Sequence, residues 1–560
     1  MEEIVTVAGT RAPIKDSQWM PPQSMSKPAN AMDIEEQDND LPERSTLRLI
    51  AIFSALALAL FTAALDVTIV ATVLPTISSD LESAAGYVWI GGAYLLGNSA
   101  AVNIWANLSD IWGRKPILLA AVLVFCVSSI ICATAHNIGA LIVGRAVQGI
   151  ASGGLMQLVM IVISDLFSIR RRSLFMGLIE IVWVVAAAVG PVLGGALTEK
   201  LGWRWIFWIN LPISSVAFLV LLLCLNVHNP KTQLRDGLRA VDWSGSVALI
   251  GLSVMLLLGL NFGGITFSWS SSQVICLIVF GGVMLPVFIL CERHIAKMPL
   301  MPLHLFSNPT NVACFVVTFC HGAVVLGTEW YLPLFFQSTR LATPLESGLL
   351  ILPVVVLESI MSFTVGIIIH KMGRYREIIW LGNVLTLLGM GLYIDLNTDS
   401  SLGKLIAYQV VSGSGTGMLF FAPLLALHTN VSQADTATAT ATFGFIRNIA
   451  TSASVVIGGA IFQNSMTSQQ AALVIAGLPR ELTDEFTGTS AAANVLRIAR
   501  IENPDHRRAI QDAFSNSMRN IWCLYTAIAA IGVISCLFIR KNVMSKQHTE
   551  HKTGLRGTKA

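Results

Sequence analysis

The sequence predicts an all-α protein that crosses a membrane many times. Three observations carry that reading. Of 560 residues, 54% are hydrophobic and 12% charged, about half the roughly 25% charged share of an ordinary globular chain. Mean hydropathy is +0.68. Apolar runs of about 20 residues recur along the chain, each long enough to cross a ~30 Å hydrocarbon core as a helix. Helices are required, because lipid offers no partner to an open backbone.

Taken in order, residues 1–46 read as a disordered cytoplasmic tail, polar and carrying the acidic stretch DIEEQDND. No signal peptide is visible in them. Fourteen spans are then expected at 48–70, 87–107, 116–135, 138–165, 174–197, 204–226, 243–262, 273–292, 310–336, 346–370, 377–396, 404–427, 437–462 and 519–539. Residues 47–227 make a first six-helix bundle, and 228–308 a linker with two extra spans. Residues 309–541 make a second six-helix bundle with a long outer loop, 463–518, and 542–560 a second cytoplasmic tail.

Basic residues set the orientation. Arg114 and Lys115, Arg170 to Arg172, Lys231, Arg235 and Arg239, Arg293 and Lys297, Lys371, Arg374 and Arg376, and Arg540 and Lys541 all fall in loops of one side, which is therefore inside. Both termini are expected to be cytoplasmic. The outer loop dissents, with Arg497, Arg500, Arg507, Arg508 and Arg519. Long loops cross with weaker regard for charge. Within that loop, AAANVLRIAR and RRAIQDAFSNSMRN read as short amphipathic helices.

Several function classes drop out. The net charge of +3 points to no nucleic acid, and the nine scattered cysteines read as small apolar fillers with no metal-binding spacing. No Gly-x-x-x-x-Gly-Lys-Ser/Thr loop, His-Glu-x-x-His or Gly-x-Ser-x-Gly element is present. The chain reads as a non-enzyme without cofactor or metal, acting as a monomer in the bilayer. Any energy the chain uses must then come from a gradient. The sequons at Asn107 and Asn430 fall on the cytoplasmic side, so neither is expected to be glycosylated.

Polar groups inside the spans are the functional candidates, since an intramembrane charge is costly unless it meets a partner or a wet cavity. Asp66 interrupts FTAALDVTIVATVLP, and Arg145 interrupts LIVGRAVQGIASGG, followed by Gln148 and Gly149. Glu180, His321, Glu329, Glu358, Arg447 and Asn448 lie in later spans. His321 reads as a packing histidine, and Glu180 has Arg172 two turns away as a simple pairing alternative. Low dielectric disfavours a charged carboxylate. Asp66 is therefore a candidate proton site, with Arg145 tuning it or pairing with it; a static Asp66–Arg145 bridge is the rival reading. In GLIEIVWVVAAAVGPVLGGAL, Gly190 and Gly194 share one helix face with close approach, and Pro191 bends the helix. ANLSDIWGRKPILLAA after the second span is echoed by GIIIHKMGRYREIIW after the tenth, which suggests duplicated bundles.

These motifs carry a resemblance. ANLSDIWGRKP, with Asp110, Gly113, Arg114 and Lys115, is similar to the loop signature of the major facilitator superfamily; Ala106, Ser109 and Ile111 depart from it. R-x-x-Q-G at Arg145 resembles the motif of its proton-coupled members. G-P-x-x-G-G, over Gly190, Pro191, Gly194 and Gly195, resembles the antiporter motif of its drug exporters, with Ala186 replacing one glycine. LDVTIVATVLP at Asp66 resembles the first-helix motif of the fourteen-spanner drug:proton antiporters, with Ala71 where Asn is frequent. YVWIGGAYLL (Trp89, Tyr94), WRWIFWINLP, VDWSG, YLPLFFQ, SGLLILP and FGFIRNIA extend the likeness from about 47 to 540.

The resemblance implies a fold of two six-helix bundles plus two central helices, and proton-driven export of amphipathic drugs, toxins or secondary metabolites by alternating access. It implies proton coupling at Asp66 and Arg145, and conformational roles for Asp110, Gly113, Arg114, Gly190, Pro191, Gly194 and Gly195. A substrate cavity is expected among Trp89, Tyr94, Gln148, Glu180, Glu329, Phe443, Arg447 and Asn448. The location implied is the cell membrane, with the vacuolar membrane as alternative. Two rival functions stand beside it. One is an uptake or vacuolar carrier for basic amino acids or iron chelates; the other is a transport-dead sensor.

Overall fold

A computed structural model describes residues 46–81, 84–230, 232–264, 267–488, 490–544 and 554; the acidic stretch DIEEQDND lies outside the described residues. Among those residues there is no strand, and two isolated bridges, Val241 with Met298 and Gly263 with Phe267, are the extended pairings. The long helices are α1 (Thr46–Asp80), α2 (Ala84–Trp112), α3 (Arg114–Ala133), α4 (Ile138–Leu166), α5 (Ile169–Leu201), α6 (Asn210–Cys224) and α7 (Trp243–Phe262). They continue as α8 (Ser272–His294), α9 (Pro309–Thr339), α10 (Leu352–Met372), α11 (Arg376–Tyr393), α12 (Leu402–Leu419), α13 (Thr436–Ser468) and α14 (Pro504–Cys536).

Twelve helical stretches among the described residues are long and apolar enough to cross a membrane. Two expected spans fall short of that measure although both are helical. Helix α2 carries Asn98, Asn103, Asn107 and Asp110, and α11 has 18 residues beginning with Arg376 and Glu377. Their polar groups turn inward: Asn103, Asn107 and Asn383 are buried. Helix α2 runs along α4, and α11 packs on α12 and α14. A helix enclosed by protein needs less apolar surface than one facing lipid.

The packing groups the helices in halves. In the first, α4 packs on α2 and α3, and α3 on α6. In the second, α9 packs on α13 and α14, α10 on α12, and α11 on α12 and α14. Helices α7 and α8 pack on each other, and α7 reaches α2 and α13. The halves meet where α5 lies on α10 and α2 on α13.

Local chemistry explains the joints. Gly113 has φ 95°, ψ 156°, a conformation open to glycine alone, and turns α2 into α3. Its echo, Gly373, has φ 67° and turns α10 into α11. The two motifs that repeat in sequence are thus two positive-φ glycine turns at matching joints. Asn137 caps α4 by accepting from the Ala140 N–H, and Asn308 followed by Pro309 opens α9.

The far end of the second half corrects the expected boundaries. Helix α13 runs on to Ser468, and α14 begins at Pro504, capped by Asn503. RRAIQDAFSNSMRN is therefore the opening of the last long helix, not a separate amphipathic helix. The connection shrinks to residues 469–503, whose Leu473, Leu478, Phe486, Val495 and Ile498 join Phe462, Phe514 and Trp522 in one buried apolar cluster. AAANVLRIAR does form short elements, Ser490–Ala493 and a 3-10 helix Val495–Arg500.

Candidate functional site

Asp66 lies in α1 and is 0% exposed; Arg145 in α4 is 2% exposed. The Arg145 Nη1 donates to Asp66 Oδ2 at 2.6 Å. Asp66 Oδ1 accepts from Gln148 Nε2 and from Asn210 Nδ2, each at 2.9 Å. Gln148 in turn accepts from Arg145 at 2.8 Å and donates to Ser129 Oγ at 2.9 Å. The Arg145 guanidinium stands 4.3 Å over the Tyr94 ring, and Nε donates to the Ile90 carbonyl at 3.2 Å. One carboxylate thus draws α1, α2, α3, α4 and α6 together inside the first half. A buried ion pair survives there because hydrogen bonds occupy its remaining lone pairs. Gly149 and Gly153 let α4 approach the Tyr94 and Asn98 carbonyls of α2, which sets Arg145 and Gln148 at this depth.

At the end of α2, Arg114 is nearly inaccessible. Its Nη1 meets Asp110 at 2.6 Å and its Nε meets Asp165 Oδ2 at 2.7 Å, so α2, α3 and α4 share one buried cation. On α5, Gly190 faces Thr68 of α1, and the Thr68 hydroxyl donates to the Ala186 carbonyl at 3.1 Å. Gly190 and Gly194 are buried, while Pro191 and Gly195 are exposed. A side chain at Gly190 would collide with Thr68, the physical reason for glycine there.

The halves close on each other at the ends that carry the Gly113 and Gly373 turns. Arg172 donates through Nε to the Phe167 carbonyl, stands 3.5 Å from His428 Nδ1 and donates to Gln433 Oε1 at 3.3 Å. Ser173 Oγ donates to the Gly366 carbonyl at 2.9 Å, and His370 Nδ1 lies 3.1 Å from the Arg170 carbonyl. One turn on, Gly177 packs on Phe363 and the Ser362 carbonyl. Beyond that level Ala187 and Pro191 on α5 and Leu352 on α10 are exposed.

A second charged group occupies the level where closure ends. Ser173 meets Gly366 and Gly177 meets Ser362; Glu180 follows three residues past Gly177 and Glu358 four before Ser362, and Glu358 lies within the field of Glu180. Glu180 is 6% and Glu358 5% exposed, and Glu180 Oε2 and Glu358 Oε1 have no hydrogen-bond partner among the described residues. Arg447 of α13 feels the charges of Glu180, Glu358 and Glu329 of α9, and its guanidinium stands 3.7 Å over the Phe420 ring.

The expected site residues therefore divide. Tyr94 and Gln148, expected in the cavity, sit in the Asp66 net. Glu180 and Glu329 lie within the field of Arg447, with Phe443 buried and Asn448 half-buried on the same helix as Arg447. Trp89 packs edge-on to Phe262 of α7, centroids 5.7 Å apart. Glu180 does not take Arg172 as its partner. His321 packs as expected, with Nε2 2.9 Å from the Thr416 carbonyl. Sequence reasoning passed over Asn210, Ser129, Asp165, His428 and Gln433; a polar residue inside the apolar run WRWIFWINLP was the signal for Asn210. Asn107 is buried and donates to the Met298 carbonyl, so that sequon is closed to a glycan in this fold.

No group of three or more His, Cys, Asp or Glu that could hold a metal occurs among the described residues. The chain matches the family described as Major Facilitator Superfamily over residues 56–455. It is 41% identical over 524 residues to a protein of Dothistroma septosporum named efflux pump dotC, covering 94% of this chain and 90% of that one. It is 42% identical over 516 residues to the MFS-type transporter ppz2 of Metarhizium majus, covering 92% and 88%. It is 35% identical over 517 residues to efflux pump FUS6 of Gibberella fujikuroi, covering 92% and 93%. Among solved structures, the human organic anion transporter MFSD10 superposes with a TM-score of 0.55 at 14% identity, over 86% of this chain and 99% of that one. The proton:xylose symporter XylE superposes at 0.51 and 13% identity, over 84% and 98%. At such identities these two likenesses concern the fold alone.

Proposed function

Because the chain belongs to the Major Facilitator Superfamily, we propose that this multi-pass membrane protein exports amphipathic small molecules, of the drug, toxin or secondary-metabolite kind, in exchange for protons. The observation that carries the reading is identity of 41% over 94% of the chain to a protein named as an efflux pump. The α5 glycines at the α1 contact, in the motif that resembles that of exporters, support the direction.

All fourteen long helices cross the bilayer in this reading, α2 and α11 included, and the Gly113 and Gly373 turns face the cytosol with both termini. The cell membrane is the expected location. Closure at Arg172, Ser173 and Gly177 is then an inner gate, and the cargo leaves from the opened face of α5 and α10. Asp110, Gly113 and Arg114 hold the first bundle's inner joint, while Gly190, Pro191, Gly194 and Gly195 let α5 rock against α1. Asp66 acts with Arg145 as a pair: protonation of Asp66 would release Arg145 and loosen the five helices it joins.

The test is accumulation of amphipathic dyes, antifungals and fungal toxins in pump-deficient yeast expressing the chain, with and without a protonophore. Lower accumulation that the protonophore abolishes is expected. Unchanged accumulation across the panel, with the protein at the cell surface, would remove the reading; protein on the vacuole would favour a compartmental carrier.

A further inference from the structure

Two histidines stand at the join where the halves close, and they face opposite kinds of atom. His428 ends the short helix Ala422–His428 and, like Arg172, is 2% exposed. Its Nδ1 lies 3.5 Å from Arg172 Nη1, across the join. A guanidinium can only donate, so this Nδ1 accepts and carries no proton. Its Nε2 lies 2.9 Å from Thr440 Oγ1 of α13, whose own hydroxyl donates to the Thr436 carbonyl at 2.6 Å. Nε2 is therefore the N–H, and the closed join fixes His428 as one neutral tautomer. His370 of α10 is the reverse case. Its Nδ1 lies 3.1 Å from the Arg170 carbonyl, so that nitrogen carries a proton whether the ring is neutral or charged.

Arg172 bonds to the Phe167 carbonyl in its own half and to His428 and Gln433 in the other. All three are neutral, so its hold on the second half rests on one imidazole lone pair and one amide oxygen. The neighbouring charges are engaged elsewhere. Asp165 of α4 lends Arg172 its field, but its Oδ2 accepts from Arg114 at 2.7 Å. Asp435, in the turn Gln433–Asp435, accepts from Ser432 Oγ at 2.6 Å and stands 3.3 Å from His304 Nε2. Arg170 of α5 lies along the Gly373 turn, and Arg376 at the start of α11 lies over the Trp380 ring. Helices α9, α12 and α13 carry one charge each besides histidine, at Glu329, Lys404 and Arg447. Among the described residues, Arg172 is the charge that acts on His428.

We propose that His428 is the positioning residue for Arg172 and the proton switch of the inner gate: without a proton on Nδ1 it holds Arg172 across the halves, and a proton taken from water on the inner side releases it. In that step one N–H bond forms at Nδ1, and the lone pair that accepted from Arg172 is used up. Two cations then face each other in a buried site with no anion between them, and they repel. Arg172 keeps the Phe167 carbonyl of its own half and His428 keeps Thr440 of the other, so the parting runs between the halves. Acid on the inner side thereby opens the gate. The proposal rests on the gate reading of this join and needs no cargo. Absent export in yeast would sink the export reading alone, whereas a join indifferent to pH would sink the switch alone.

The test is hydrogen exchange of the purified full-length protein in lipid nanodiscs from pH 8 to pH 5, corrected for the intrinsic pH dependence of amide exchange. The join is read at residues 169–177 and 362–370, with 114–133 of α3 as internal reference. The open join takes up one proton that the closed join lacks, at a wetted imidazole of ordinary value about 6.5. Protection at the join should therefore be flat above that pH and fall below it, toward about tenfold per pH unit, while the reference stays level. His428→Gln offers an amide oxygen to Arg172 and an N–H to Thr440 but does not titrate; it should remain protected down to pH 5. His370→Gln should keep the response of the parent. A parent whose join does not change with pH, or a His428→Gln variant that keeps the full response, would each overturn the proposal. Should His428→Gln fail to fold, Arg172→Gln decides: it removes the opposing cation and should flatten the profile, and an undiminished response there would also overturn the proposal.

Discussion

At the residue scale, Asp66 serves as a hub with every near neighbour committed to it. Arg145, Gln148 and Asn210 all donate to it. Replacing it strands a buried guanidinium, and breaking one side of such a pair costs about 3–5 kcal/mol. Asp66→Asn should therefore lower the thermal unfolding temperature of the purified protein sharply. The double change Asp66→Asn, Arg145→Gln should recover most of that loss while export stays absent. Recovery of export in the double variant would show that the pair only holds helices together. Arg114 has the same logic at the inner joint, with Asp110 and Asp165 as its anions.

At the element scale, two contacts decide how helices sit. Helix α4 reaches α2 because Gly149 and Gly153 have no side chain where the Tyr94 and Asn98 carbonyls stand. Gly149→Val should cost about 1–3 kcal/mol by overpacking, read as a fall in unfolding temperature, and should tilt Arg145 away from Asp66. Two of the five basic residues that broke the expected charge rule have anions beside them. Arg497 pairs with Glu485, and Arg508 at the start of α14 meets Asp399 and Asp512. Arg507 instead donates to the Ile501 carbonyl.

Asp399 is held below the usual carboxylate range, first by its hydrogen bond from Arg508. A lowered carboxylate contributes above its unfolded value of about 3.9 and loses that contribution as pH falls through the folded value. The turn at 394–401 should stay held to the start of α14 from pH 7 to pH 5, read as unchanged hydrogen exchange over that turn, and loosen only in stronger acid. Its release near pH 6 would contradict this.

At the scale of the whole molecule, the join of α5 and α10 sets the conformation. Small groups at Ser173, Gly177 and Gly366 let the helices touch, and the contact ends at the Glu180–Glu358 level. Gly177→Leu should wedge this join apart at Phe363. The expected readout is several-fold faster hydrogen exchange over residues 169–180, with residues 469–503 unaffected. Unchanged exchange there would mean the join tolerates the side chain and does not act as a gate.

Much was determined by sequence alone. Apolar runs of fixed length, turn glycines and basic joints marked the long helices, because lipid thickness and backbone hydrogen bonding leave few choices for such a chain. Asp66, Arg145, Glu180 and Arg447 stood out for the same reason, as charges where charges are costly. The boundaries at Ser468 and Pro504 were not legible, since an amphipathic stretch reads alike whether it lies on a surface or opens a long helix. Nor could periodicity tell that Tyr94 and Gln148 belong to the Asp66 net, or that Glu180 stands within the field of Arg447 rather than beside Arg172. Those neighbours lie up to some hundreds of positions apart in the chain. They were decided by tertiary packing, where glycine-sized gaps let particular helices approach and fix which charges share one low-dielectric space.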